Sequence, residues 1–200
     1  MEIRFMEKRD INTITELMCN SFKEDPLYTY FVPECEARLK FLRDFMKFRL
    51  KYGMKYGEVY VTKDCKGVVI WLPPNCEMKF KDVVMLGGFT AMLKCGSKAM
   101  KRIMDFNNYA DKITGEVISD PHWHISPIAV SPEYQGRGYA KELILHKLSQ
   151  IDQKCQLCSL ETQSEKNETI YKKYGFETAS ITNIPDTQIR HIAMIRSAKK

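Results

Sequence analysis

The stretch from His124 to Ile151 leaves few architectures open to this chain. An apolar run, His124 to Val130, enters a turn holding Gly136 and Gly138. It leaves as Ala140, Leu143, Ile144, Leu148 and Ile151, which fall on one face of a helix. A strand that turns through two glycines into a helix is a ready anion site. Glycine lets successive backbone N–H groups point at a ligand, and the helix N-terminus adds roughly half a positive charge. Arg137, between the glycines, adds a full charge. A plainer reading is that the glycines only turn the chain. Two familiar phosphate loops fail on spacing: neither Gly-x-x-x-x-Gly-Lys-Ser/Thr nor Gly-x-Gly-x-x-Gly is present here.

The flanking pattern extends that unit in both directions. Ile3-Arg4-Phe5-Met6 reads as a first strand, with Asp10 as N-cap of a helix over about 11–22. Pro26 and Pro33 bracket an aromatic loop, and Leu39, Leu42, Phe45, Met46 and Leu50 recur at helical spacing between Ala37 and Tyr52. Glu58–Thr62 and Gly67–Leu72 read as a hairpin ended by Pro73-Pro74. Residues 79–111 read as two helices broken near Gly96-Ser97, whose methionines serve either the core or an adaptable pocket. Leu157–Thr162 is a strand, Asn167–Lys173 a short helix, and 176–183 with 188–197 a closing strand pair. Alternating strands and helices with an antiparallel finish imply an α/β fold with a sheet of mixed direction. Two hundred residues suit one domain.

The remaining composition excludes more than it assigns. The net charge of +6 fits an acidic partner or a polyphosphate, but the basic residues are scattered, with only Lys199-Lys200 as a tail. No nucleic-acid face is expected. The seven cysteines have no framework spacing, and Cys155-x-x-Cys158 lacks a second ligand pair. With no signal-type apolar segment at the N-terminus and no membrane-length apolar run, a cytoplasmic protein without metal is expected.

Two linked motifs carry a family resemblance. Ile128-Ala129-Val130 leads into Gln135-Gly136-Arg137-Gly138-Tyr139-Ala140, and Leu160-Glu161-Thr162 precedes Asn167-x-x-Ile170-Tyr171-Lys172-Lys173-Tyr174-Gly175-Phe176. In this order and spacing they resemble the GCN5-related N-acetyltransferases (GNAT), whose Gln-x-x-Gly-x-Ala loop holds the acyl-CoA pyrophosphate. The Val69-Ile70-Trp71-Leu72-Pro73-Pro74 strand end and the helical segment after it look most like the puromycin N-acetyltransferase branch. The resemblance implies one domain over 1–200 with a helical insertion at about 79–111. It also implies a mostly antiparallel sheet with a splayed central strand pair flanked by helices.

It further implies acetyl-CoA as co-substrate. Residues 135–140 would hold its pyrophosphate by backbone N–H groups, and Ile128, Ala129 and Val130 would line its pantetheine arm. Asn167 would reach the same arm, or cap its helix. Tyr171 takes the general-acid position at the departing thiolate, with Tyr174 as competitor. An attacking amine must lose a proton, and Glu161 is the candidate base, its alternative being an ordinary ion-pair partner. His122 and His124 lie two apart and so face one side of their strand, where either could relay a proton.

Asp25, Tyr30, Trp71, His124 and Glu161 are the candidate acceptor contacts. The expected reaction is direct transfer of acetyl to a small primary amine by a monomer or homodimer. A closed aromatic pocket from Tyr28, Tyr30, Phe31 and Trp71 would favour that reading. An open groove would favour a protein lysine or N-terminus, and binding without turnover would mark an acyl-CoA sensor.

Overall fold

The computed structural model describes residues 1–197, so the Lys199-Lys200 tail lies outside the described residues. Seven strands form one sheet: β1 (Ile3–Phe5), β2 (Glu58–Thr62), β3 (Gly67–Leu72), β4 (His122–Val130), β5 (Leu157–Thr162), β6 (Glu177–Asn183) and β7 (Arg190–Arg196), in the order β1-β2-β3-β4-β5-β7-β6. Every neighbouring pair is antiparallel except β4–β5. The helices are α1 (Ile11–Phe22), α2 (Pro26–Phe31), α3 (Cys35–Tyr56), α4 (Phe80–Met85), α5 (Gly88–Lys94), α6 (Ser97–Val117), α7 (Tyr139–Gln153) and α8 (Glu165–Lys172).

The alternation of side chains along each strand builds two cores, one on each face of the sheet. Val68, Ile70 and Ala129 join Ile14, Met18, Leu42 and Leu50 under α1 and α3. Val69, Trp71, Trp123, Cys158, Leu160 and Met194 join Leu143, Ile144 and Leu148 under α7. At roughly 1.5–3 kcal/mol for each large apolar side chain buried, these layers supply most of the drive to fold. One polar tie beneath them is a two-pronged ion pair. Arg196 makes a two-pronged contact to Asp152 at 2.7 and 2.8 Å and also donates to the Tyr174 carbonyl.

Several local expectations change. Asp10 does not cap α1 through its side chain; it ends a 3₁₀ turn and takes a two-pronged bond from Arg4 at 2.6 and 2.9 Å. The aromatic loop between the two prolines is instead α2, because Pro26 sits at the first helical position and Asp25 caps it. The helical insertion has three helices, not two, with a second break at Gly87, whose φ of +93° no helix interior accommodates. It also runs to Val117 rather than 111. Its methionines divide: Met92 packs on the core, whereas Met85 and Met104 are exposed.

Candidate active site

β4 is the strand on which the site depends. It pairs with β5 only from His122↔Leu157 to His124↔Ser159, although β4 continues to Val130 and β5 to Thr162. The two strands part there. The break coincides with a bulge, where Ser126 and Pro127 together face the single residue Ile70 of β3. Beyond it the ladder to β3 resumes, and Ser131 N–H donates to the Lys66 carbonyl at 2.9 Å. The antiparallel alternation then fixes directions: Ala129 pairs with Val68, and the backbone groups of Ile128 and Val130 face the gap.

This amends the expected cofactor contacts. Ala129 spends its backbone groups on β3. The Val130 carbonyl already accepts from Ser21 Oγ at 3.0 Å and Gln135 Nε2 at 3.2 Å. What remains open toward the gap is the Val130 N–H and both backbone groups of Ile128.

At the end of β4 the chain passes through a 3₁₀ turn into the glycine loop. The Gln135 N–H closes that turn onto Pro132, so it is not free for a ligand as residues 136 onward are. Gly136 and Gly138 have φ of +76° and +87°, and a Cβ at either would meet nothing within 4 Å. Gly138 is the N-cap of α7 and leaves the N–H groups of Tyr139, Ala140 and Lys141 without helical partners. Arg137 stacks over the Tyr134 ring at 5.3 Å, and Tyr139 sends its hydroxyl to Asp64 at 2.8 Å. A row of unpaired N–H groups under open space, at the positive end of a fifteen-residue helix, suits a pyrophosphate.

The candidate catalytic groups lie on opposite faces of β5. Tyr171 is buried under α7, its ring 6.0 Å from Phe176, and burial pushes its phenol up to about 12. Tyr174, the competing tyrosine, is only partly buried at the edge of the same cluster. Asn167 does not cap α8, because Ser164 does; its own side chain is exposed one turn from Tyr171.

Glu161 points to the other face with Ser159, toward α6. It accepts a hydrogen bond from Thr114 Oγ1 and lies 4.0 Å from Nε2 of His191 on β7. His124 is on this face too, its Nδ1 2.9 Å from Ser159 Oγ. Arg49 of α3 holds the Ser126 hydroxyl at the bulge. The gap between β4 and β5 is where one ligand can touch both layers.

Both imidazoles are kept neutral. Burial pushes His124 down to about 4, against the opposing pull of the Glu161 charge, and burial likewise lowers His191. A histidine with a depressed folded pKa takes up its proton in the unfolded chain first. Stability should therefore fall as pH drops from about 6.5 toward about 4. Thermal unfolding followed across that window checks it, and replacing His124 by Gln should flatten the slope.

The other acceptor candidates separate. Asp25 is half-buried and caps α2 through a 2.9 Å bond from Leu27 N–H, and burial raises its pKa. Tyr30 ties α2 to α6: its ring lies 4.7 Å from the Arg102 guanidinium, which also donates to its carbonyl. Trp71 is fully buried on the α7 face, while Tyr28 and Phe31 belong to the α1–α3 core. The four aromatic residues therefore do not form one pocket. His191, Thr114 and Asp111, which surround Glu161, were not legible in the sequence. Their proximity depends on β7 pairing with β5 and on where α6 crosses.

The chain is similar to known acetyltransferases. Residues 102–178, which include β4, the glycine loop, β5 and α8, match the model of the acetyltransferase (GNAT) domain. An uncharacterized N-acetyltransferase of Schizosaccharomyces pombe is 22% identical over 183 residues, covering 88% of this chain and 74% of the relative. A solved structure from Corynebacterium glutamicum, described as histone acetyltransferase HPA2 and related acetyltransferase, superposes with a TM-score of 0.69 at 16% identity, over 99% of this chain and 96% of its own. Arylalkylamine N-acetyltransferase 2 of Aedes aegypti gives 0.64 at 12% identity, with 99% of each chain covered.

Proposed function

We propose that this chain, an acetyltransferase of the GNAT family, transfers acetyl from acetyl-CoA to the primary amine of a small molecule, by direct attack within a ternary complex. The bound thioester supplies an activated acyl group, and the residues of the chain do the positioning. The N–H groups of 136–141 hold the pyrophosphate, and the backbone groups of Ile128 pair with the pantetheine arm across the gap. Asn167, exposed on α8, reaches the same arm. Glu161 takes a proton from the acceptor ammonium, the neutral amine then attacks the acyl carbon, and the second proton lost from nitrogen balances the one that goes to the sulfur. The Val130 N–H, facing the gap, polarises the carbonyl. Tyr171 donates to the sulfur as the C–S bond breaks, and a phenol raised to about 12 does so without ionising beforehand.

One observation carries the choice of a small acceptor. α6 stands directly over Glu161, with Thr114 bonded to its carboxylate and Phe106 and Tyr109 packed edge-on to the neighbouring His191. The Glu161 side chain keeps 20% exposure, an opening suited to a slender amine rather than a peptide groove. We take the protein to act in the cytosol as a single domain over 1–200, as a monomer or homodimer. Among the described residues no helix is long and apolar enough to cross a membrane.

The test is release of CoA thiol from acetyl-CoA across a panel of amines. Arylalkylamines and lysine peptides follow the structural neighbours, aminonucleosides follow the puromycin-branch resemblance, and polyamines complete the set. Turnover confined to one small-amine class supports the reading; preference for lysine peptides would replace it with protein acetylation. Tyr171→Phe should lower kcat by about 10–100-fold with the acetyl-CoA Kd nearly unchanged. Unaltered kcat in that variant would remove Tyr171 from the chemistry.

A further inference from the structure

Among the described residues, His191 carries a buried ring nitrogen with no hydrogen-bond partner. It lies on β7 two residues from Ala193, the register partner of Glu161, and so shares the Glu161 face of the sheet. Its side chain is completely buried, with Phe106 at 5.9 Å and Tyr109 at 5.5 Å, both edge-on. Nδ1 lies 3.4 Å from the Gln163 amide nitrogen, while Nε2 is buried without any hydrogen-bond partner among the described residues. A buried donor left unpaired in an apolar setting costs free energy, and such a group calls for a reason. Glu161 Oε2 lies 4.0 Å away, too far for a hydrogen bond, and a small rotation of the glutamate would bring it to about 3.0 Å.

We propose that His191 is a positioning residue for acetyl transfer: its Nε2–H, directed by Gln163 at Nδ1, engages Glu161 once the acceptor binds and holds that carboxylate ready to take the amine proton. The inference rests on Glu161 being the base. With the Gln163 amide donating into Nδ1, a neutral imidazole carries its proton on Nε2, the atom that faces the glutamate. Burial keeps the ring neutral, so the contact is a donated hydrogen bond rather than a fixed ion pair. The other side of Glu161 is already held by Thr114 of α6. The remaining titratable groups around it are His124 of β4 and Asp111 of α6; the first is neutral, and the second opposes a further negative charge. A donor on the free oxygen offsets that repulsion. The apolar walls given by Phe106 and Tyr109 keep water from substituting for it.

His191→Phe fills the same space without a donor, and His191→Gln restores an N–H near the Nε2 position. The phenylalanine variant should lower kcat by about 10-fold or more with the acetyl-CoA Kd unchanged. It should also move the acid limb of the kcat/KM profile to higher pH by up to about one unit, because the charged carboxylate loses a donor. The glutamine variant should recover most of the limb position. If Glu161→Gln is inactive while His191→Phe keeps both the rate and the acid limb, the positioning role is wrong and the base assignment survives. If Glu161→Gln is as active as the parent, the base assignment fails first, and the inference with it. A phenylalanine variant with a lowered melting temperature and an unmoved limb would mark His191 as packing alone, which also overturns the proposal.

Discussion

Glu161→Gln should lower kcat/KM for the preferred amine by about 10²–10³-fold while the acetyl-CoA Kd stays within about twofold. The size follows from what the carboxylate has to do. A free alkylamine near its reference pKa of about 10.4 is almost wholly protonated at neutral pH and has no lone pair to offer. The site must take that proton beside the acyl group. The proposed base is Glu161, on the sheet face opposite Tyr171 and beside the gap between β4 and β5. Gln is the suitable replacement because it keeps the shape and still accepts from Thr114. A fall in activity therefore reports the lost base and not a collapsed pocket. Rates measured against pH divide the explanations further. If the variant recovers as pH rises toward the amine's own pKa, the missing function is proton removal. A uniform loss at every pH would point instead to lost attraction for the incoming ammonium. Full activity at neutral pH would leave water as the proton acceptor and reduce Glu161 to a partner of Thr114.

The sequence revealed the scaffold of this site far better than its acceptor side. β2, β3 and β5 have the predicted boundaries; β2 and β3 are short β-branched runs ended by turn residues or Pro, which have few other readings. The glycine loop was legible for a similar reason: Gly136 and Gly138 occupy positive-φ positions that other residues adopt only under strain. Trp71 shows where such reading stops. An apolar residue near the end of a strand could face either layer, and only the register of β3 between β2 and β4 sends it under α7. Asp25 and Tyr30 have structural partners that the sequence did not reveal. Polar groups near a predicted loop look available, but Asp25 is spent on capping α2 and Tyr30 on Arg102. His191 is the opposite case, a residue with no motif around it. Contacts between partners 30 residues apart in sequence, such as Glu161 and His191, belong to tertiary pairing that local periodicity does not encode.

Gly138→Val should weaken acetyl-CoA binding by about 10²-fold while costing the fold only about 1–2 kcal/mol. At φ +87° and ψ −2°, Gly138 is in the left-handed region, and it is also the N-cap of α7. A β-branched side chain is poorly tolerated there, and the cheapest relief is rotation of the neighbouring peptides. That rotation turns away the N–H groups on which the proposed pyrophosphate site depends. Space is not the obstacle within the protein itself, since a Cβ at this position meets nothing within 4 Å. That openness separates two causes. Asn adopts the left-handed conformation more readily than Val, so Gly138→Asn should keep the loop's backbone shape while placing a side chain in the open space above it. If the loop acts only through its backbone, Asn should bind nearly as well as glycine and Val should not. If the cofactor occupies that space, both variants should lose affinity together, with only Val also losing stability. Unchanged binding in Val would mean that the turn merely reverses the chain, the plainer reading of the two glycines, and the phosphate site would have to be sought elsewhere on the molecule.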